Sequence, residues 1–283
     1  MDFSYLVGLI SGIALLVYGM GLKTLGNFFD APSIAIVLGG VLASVIMSFP
    51  LSSFKDIPKH FKIIFSKNKA DPNEYIAKLV DYSQEARRKG LLTLEDKANE
   101  EEDEFLKNSI MLIVDAIEPT KVKEMLENEL NCLEERHARG AAFYEKAAVF
   151  APAFGMIGTL IGLINMLKAM GDIASGDAAS GLGTSMSVAL ITTFYGSLLA
   201  NLILMPIANR LRSKHNEEML CKEIIVEGVL AIHAGTNPRH MEERLKAFVR
   251  NSERVDVIDM GSSEEGDSKG KKKKPKKEKK SKK

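Results

Sequence analysis

Residues 147 to 167 read AAVFAPAFGMIGTLIGLINML and carry no charged side chain. That is about the 20 residues a helix needs to cross the apolar core of a bilayer. A plain anchor would be filled with Leu, Ile and Val, but here Pro152, Gly155, Gly158, Thr159 and Gly162 occupy the middle. Gly158 and Gly162 stand in the spacing that lets two helix backbones approach closely. Pro152 has no N–H, so the carbonyl one turn before it loses its helical partner. Lipid cannot satisfy such a group, which must then face protein or a water-filled path. The stretch is predicted to be a pore-lining helix, with an ordinary packed and kinked helix as the alternative.

Three further uncharged stretches accompany it. Phe3 to Leu22 reads as a first span with Gly8 and Gly12 on one face, retained because it begins too early for a signal peptide's basic leader. Ala31 to Pro50, with Gly39 and Gly40 in its middle, reads as the second, and Leu182 to Pro206 as the fourth. Lys23 to Asp30 and Ile173 to Gly181 are short links. A formal charge of +1 and 46% hydrophobic residues would suit a soluble protein, but charge and apolarity here fall in separate blocks. Arg and Lys are abundant between spans two and three and again after span four, at Arg210, Arg212 and Lys214 beside His215, whereas Ala169 to Asn209 has neither. By the positive-inside rule both termini and the central segment are cytoplasmic. With no tryptophan, interfacial anchoring falls to tyrosines such as Tyr5, Tyr18 and Tyr195.

The expected architecture is an all-α membrane protein with four transmembrane helices. Residues 1–50 form a transmembrane hairpin and 51–146 a helical cytoplasmic domain. Residues 147–209 hold spans three and four, and 210–255 are cytoplasmic C-terminal helices. Leu51, Phe54, Ile57, Phe61, Ile64 and Phe65 recur at helical spacing beside lysines, which predicts an amphipathic helix along the membrane surface. Helices are expected over Asn73 to Lys89 and Phe105 to Ile117, then one capped by Thr120 that runs on into span three. The tail, 256–283, has eleven lysines and no periodicity, so it is expected to be disordered and solvated. Without aromatic residues for base stacking it suggests no nucleic-acid role, and anionic lipid is its natural contact.

The spans lack any Asp, Glu, His, Lys or Arg near mid-depth; Asp2, Asp30, Lys168 and Asp172 sit at their ends. Proton relays need an intramembrane carboxylate or imidazole. If ions cross here, the carboxylate must come from a partner, because this chain offers hydroxyls, an amide and carbonyls. Thr159, Thr192 and Thr193 are best placed, ahead of Ser185, Ser187, Ser197 and Asn201. Hydroxyl oxygens suit a hard cation, although a helical threonine often bonds its own backbone instead. In the cytoplasmic segment, ARRKGLLTLE (86–95) shows Arg87, Arg88 and Lys89 on one side of a Gly90 turn and Glu95 on the other. Such a face suits docking on a charge-complementary partner, or is simply solvated. Cys132 and Cys221 match no metal-ligand spacing, the five histidines are scattered, and no cofactor, metal or enzymatic constellation stands out.

Taken together these residues resemble the MotA/PomA family, the ion-driven stator subunit of the bacterial flagellar motor. APAFGMIGTLIGL (151–163) is similar to the family's third span and SVALITTFYGSLLANLILMPIANRL (187–211) to its fourth. ARRKGLLTLE is similar to its torque-transmitting stretch, and EGVLAIHAGTNPRHMEERL (227–245) to its closing helix. The resemblance implies a pentameric ring in the bacterial inner membrane around a pair of single-span MotB/PomB-type subunits. These supply the ion-binding aspartate and hold the peptidoglycan, while the ring drives the rotor protein FliG. Pro152 and Pro206 match the family's two functional prolines, and Arg87 and Glu95 its rotor-facing pair, with Arg88 adjacent. Thr159 and Thr193 match hydroxyls of sodium-type members, which leans the ion, H+ or Na+, towards sodium. The related ExbB/TolQ energisers, which place the large cytoplasmic segment after one span, and a membrane-anchored scaffold are the competing readings.

Overall fold

The computed structural model describes residues 3–66, 71–171 and 178–254. Every regular element among them is helical. They form two compact units: residues 3–66 with 128–171 and 178–219, and residues 71–127 with 220–254.

The first unit holds the apolar helices. Helix α1 (Phe3–Met20) is uncharged and ends at Gly21, whose φ of +79° is the left-handed conformation that closes helices. Helix α2 (Ala31–Ser48) starts where the Asp30 carboxylate accepts from the Ser33 N–H at 2.9 Å, with Pro32 in its first turn. A π turn at Ala35–Gly39 interrupts it before Gly40. The chain then forms a short 3-10 segment, Leu51–Asp56, and helix α3 (Ile57–Phe65). The single surface helix expected over 51–65 is thus two pieces, divided where Pro58 enters the first turn of α3. Much of its apolar side is covered by protein rather than left to lipid. Ile64 is buried, the Phe54 ring meets Phe143 edge-on at 5.1 Å, and Ile57 packs on the same cluster. Phe61 and Ile63 stay exposed.

Two long helices carry the rest. Helix α7 (Pro119–Gly171) runs unbroken through Pro152, as the sequence suggested. It begins two residues earlier than expected. The Val122 N–H bonds the Glu118 carbonyl at 3.0 Å, so Thr120 is inside the first turn rather than capping it. Helix α8 starts at Ala178, ahead of the expected Leu182, and continues to His233 with a π turn at Leu199–Leu204. The rest of the expected loop, 173–177, and the lysine tail lie outside the described residues. Among the described residues three helices are long and apolar enough to cross a membrane, Ala31–Ser48, Pro119–Gly171 and Gly181–His233; the apolar run of α1, Tyr5–Met20, is shorter.

The second unit is built on helices α4 (Pro72–Lys89), α5 (Leu94–Glu100) and α6 (Glu104–Val114). Helix α9 (Pro238–Lys246) closes it. Asp71, Asp103 and Asn237 cap α4, α6 and α9 with side-chain oxygens on backbone N–H groups. Ile76 and Leu79 of α4, Leu106 and Ile110 of α6, Ile224 of α8 and Met241 of α9 are all buried. At Gly228 a Cβ would lie 2.6 Å from a Leu79 methyl, so a side chain there would have to displace Leu79 where α8 approaches α4.

Candidate functional site

Helices α7 and α8 meet along a seam of small residues. A Cβ on Gly155 would lie 3.1 Å from the Thr192 carbonyl, and one on Gly162 2.6 Å from the Ser185 carbonyl. One on Gly158 would overlap the Thr192 side chain. From the other helix, a Cβ on Gly196 would lie 2.5 Å from the Ala151 carbonyl. Ala151, Gly155, Gly158 and Gly162 line one face of α7, and Ser185, Ala189, Thr192 and Gly196 the matching face of α8, in antiparallel register. All three packing glycines expected from the sequence thus lie on this seam. Gly196, which no spacing motif marks, completes it. On α1 only Gly12 touches another helix, at Leu202; Gly8 has nothing within 4 Å. On α2, Gly40 receives the Phe154 ring, while Gly39 has nothing within 4 Å.

The three threonines divide on this geometry. Thr192 is buried in the seam, and its hydroxyl donates to the Val188 and Ala189 carbonyls at 2.9 and 3.0 Å. Thr159 donates to the Met156 carbonyl at 2.6 Å and Thr193 to the Ala189 carbonyl at 3.4 Å. Each therefore bonds its own helix, yet Thr193 is exposed and Thr159 half-buried. Each follows a seam residue by one position, and in antiparallel right-handed helices that places both on the same side of the pair.

That side is open. Met156 and Leu163 of α7 and Met186, Leu190, Thr193 and Ser197 of α8 are exposed along it, and Pro152 is half-buried beside them. The opposite side is covered where it meets α2, with Phe154 on Gly40, Ile191 buried, and the Tyr195 hydroxyl donating to the Phe28 carbonyl, while Ile157 and Ile161 stay exposed further along it. Pro206 follows the π turn of α8 and is half-buried. Asn201 is exposed and donates to the Ser197 carbonyl at 3.0 Å.

In the second unit, α4 ends at Gly90, whose N–H bonds the Ala86 carbonyl at 2.9 Å and whose φ is +94°. Leu94 and Ala98 are buried and anchor α5. Arg87 and Arg88 stand exposed in the last turn of α4 and Glu95 in the first turn of α5, each with the sign its helix dipole favours. Among the described residues these three make no ion pair or hydrogen bond. Their neighbours do. Lys97 reaches Asp81 and Glu85, each at 2.5 Å, and Lys89 reaches Glu85 at 2.9 Å. The hydrogen bonds from Lys97 and Lys89 hold the Glu85 carboxyl down at about 2. Lys78 bonds Glu101 at 3.0 Å, and the Tyr82 hydroxyl donates to the same carboxylate. Burial and the Glu101 carboxylate raise the Tyr82 phenol. These struts between 78–89 and 97–101 escaped the sequence, which shows charges but not their partners.

The profile of the MotA/TolQ/ExbB proton channel family matches residues 97–224. Motility protein A of Treponema phagedenis is 37% identical over 258 residues, 91% of this chain and 97% of that protein. Chemotaxis protein PomA of Vibrio alginolyticus is 36% identical over 260 residues, 92% of this chain and all of that one. Among solved structures, the flagellar MotAB stator complex from Bacillus subtilis matches with a TM-score of 0.80 and 31% identity, covering 89% of this chain and 98% of that one. The chain belongs to the MotA/PomA family of flagellar-motor stator subunits, within the MotA/TolQ/ExbB proton channel family.

Proposed function

We propose that this stator subunit works as a rotating ring driven by sodium ions that pass between it and a single-span MotB/PomB-type partner. The observation that carries the reading is the open side of the α7–α8 seam. It presents two hydroxyls, Thr159 and Thr193, and Pro152 to whatever lies against it, and the sequence places no ionisable group there. A partner helix seated on that side brings the missing aspartate, and ring hydroxyls offer oxygen ligands suited to a hard cation. Thr192, enclosed in the seam, serves packing. Pro152 and Pro206 each leave a carbonyl without its helical N–H, at sites where protein or an aqueous path must satisfy it.

In this reading the chain crosses the bacterial inner membrane four times, with α1 as the first and shortest span and both termini in the cytoplasm. It forms a pentameric ring around the partner pair, and Arg87, Arg88 and Glu95 face the rotor protein FliG. A scaffold would tolerate any apolar residues along α7 and α8, whereas this seam demands small ones at matched depths. No catalytic step is assigned to the chain.

The test co-expresses the chain with its partner in a flagellated host lacking stators. Swimming is the expected result, lost when the partner's aspartate is replaced. A membrane-assembled pair that leaves the host paralysed, even with a chimeric cytoplasmic face matched to the host rotor, contradicts it.

A further inference from the structure

We propose that Lys97 is a positioning residue for torque: it fixes α5 on α4 and so sets where Glu95 stands relative to Arg87 and Arg88. This rests on the rotor-facing reading of those three residues. Lys97 Nζ bridges two carboxylates one helical turn apart on α4, Asp81 and Glu85, at 2.5 Å each. It also lies 5.4 Å from the centroid of the Tyr82 ring between them. Glu85 is shared with Lys89, the neighbour of Arg88. Lys97 is two residues from Glu95 in a helix of seven residues, so a change in its anchoring turns Glu95 with it. At the far end of the same helix, Glu101 is held by Lys78 and Tyr82. Its hydrophobic anchors, Leu94 and Ala98, fix depth, and the charged bridge fixes rotation about the helix axis.

The bridge is an unusual use of charge on a solvent-facing domain. A single exposed pair contributes little, but one ammonium shared by two carboxylates, half-shielded over an aromatic ring, holds one geometry. The consequence is a division of labour among the charges beside the turn. Lys97 and Lys89 act within the chain, and Arg87, Arg88 and Glu95 remain available to a partner.

The experiment measures the torque step added as each stator joins a motor in the stator-less host, with ion conduction and membrane level recorded in parallel. The variants are Lys97→Met, Lys97→Arg, the pair Asp81→Asn with Glu85→Gln, and the three neutral changes combined. The pair Arg87→Gln with Glu95→Gln runs alongside. Expected are a smaller step for Lys97→Met and for the Asp81/Glu85 pair, no further loss in the combination, and retention in Lys97→Arg. Conduction and membrane level stay unchanged. An undiminished step in Lys97→Met, with Arg87→Gln/Glu95→Gln reduced, overturns the proposal and leaves the rotor-facing reading intact. Additive losses overturn it too, because Lys97 would then act on the rotor directly. Loss of the neutral variants from the membrane would make the bridge a folding device only and also overturn it. A full step from Arg87→Gln/Glu95→Gln would overturn the rotor-facing reading itself.

Discussion

Gly158 lies so close to Thr192 that any side chain on it would occupy the space of the threonine methyl and hydroxyl. This one relationship explains why the two long helices carry glycines on α7 and small residues on α8 at matched depths. It also encloses Thr192 in the seam and leaves Thr159 and Thr193 on the open flank.

Overfilling that seam is expected to be destructive. Gly158→Val or Gly162→Ala forces helices apart or side chains out of their rotamers, at a cost of about 1–3 kcal/mol. Thermal unfolding of the purified protein in detergent should show the loss. Gly8→Ala, which meets no atom within 4 Å, is the internal control and is expected to change stability by no more than about 0.5 kcal/mol.

Reversing Arg87 and Glu95 together is expected to weaken rotor coupling while ion conduction persists. Both are exposed and unpaired among the described residues, so stability should move by no more than about 0.5 kcal/mol. Motility measured beside conduction checks this; undiminished motility would place the rotor contact elsewhere.

Acid should loosen the second unit through Glu85. Its carboxyl is held at about 2, below its ordinary 4.5, by Lys97 and Lys89. A depressed carboxylate contributes stability that is whole above its unfolded value and is lost as pH falls through the folded one. Wild-type protein should therefore be more stable than Glu85→Gln at neutral pH, and the difference should shrink between about pH 4.5 and 2. Melting curves of the two proteins across that range, followed by circular dichroism, measure it.

The hydroxyls on the open flank should tune ion dependence rather than assembly. Thr159→Ala and Thr193→Ala are expected to raise the sodium concentration needed for half-maximal speed, because each removes an oxygen from the proposed path. Thr192→Ala should act on stability instead, through lost contact with Gly158. Speed–sodium curves and unfolding temperatures, taken on all three variants, separate the two roles.

Much of this was legible in the sequence because membrane helices impose strong rules. Uncharged runs gave the long helices, and glycine spacing on α7 identified the face that packs. Where packing was set by the other helix the sequence was silent. Gly196 has no glycine partner at helical spacing, yet it receives the Ala151 carbonyl. Gly8 shares a motif with Gly12 but faces open space. The surface helix over 51–65 was mistaken in form because periodicity does not show that Phe143 covers its apolar side. The threonines looked equivalent at neighbouring positions, and only the antiparallel register separates the buried one from the other two. Lys97 was invisible for a similar reason: its carboxylates lie on another helix.

Sodium coupling is tested by swimming speed against sodium at fixed pH and ionic strength, with chain and partner expressed in the stator-less host. Speed is expected to rise with sodium and saturate, and to fall in Thr159→Ala at low sodium. Speed that ignores sodium and collapses with a protonophore would contradict it, making protons the fuel and the two threonines structural.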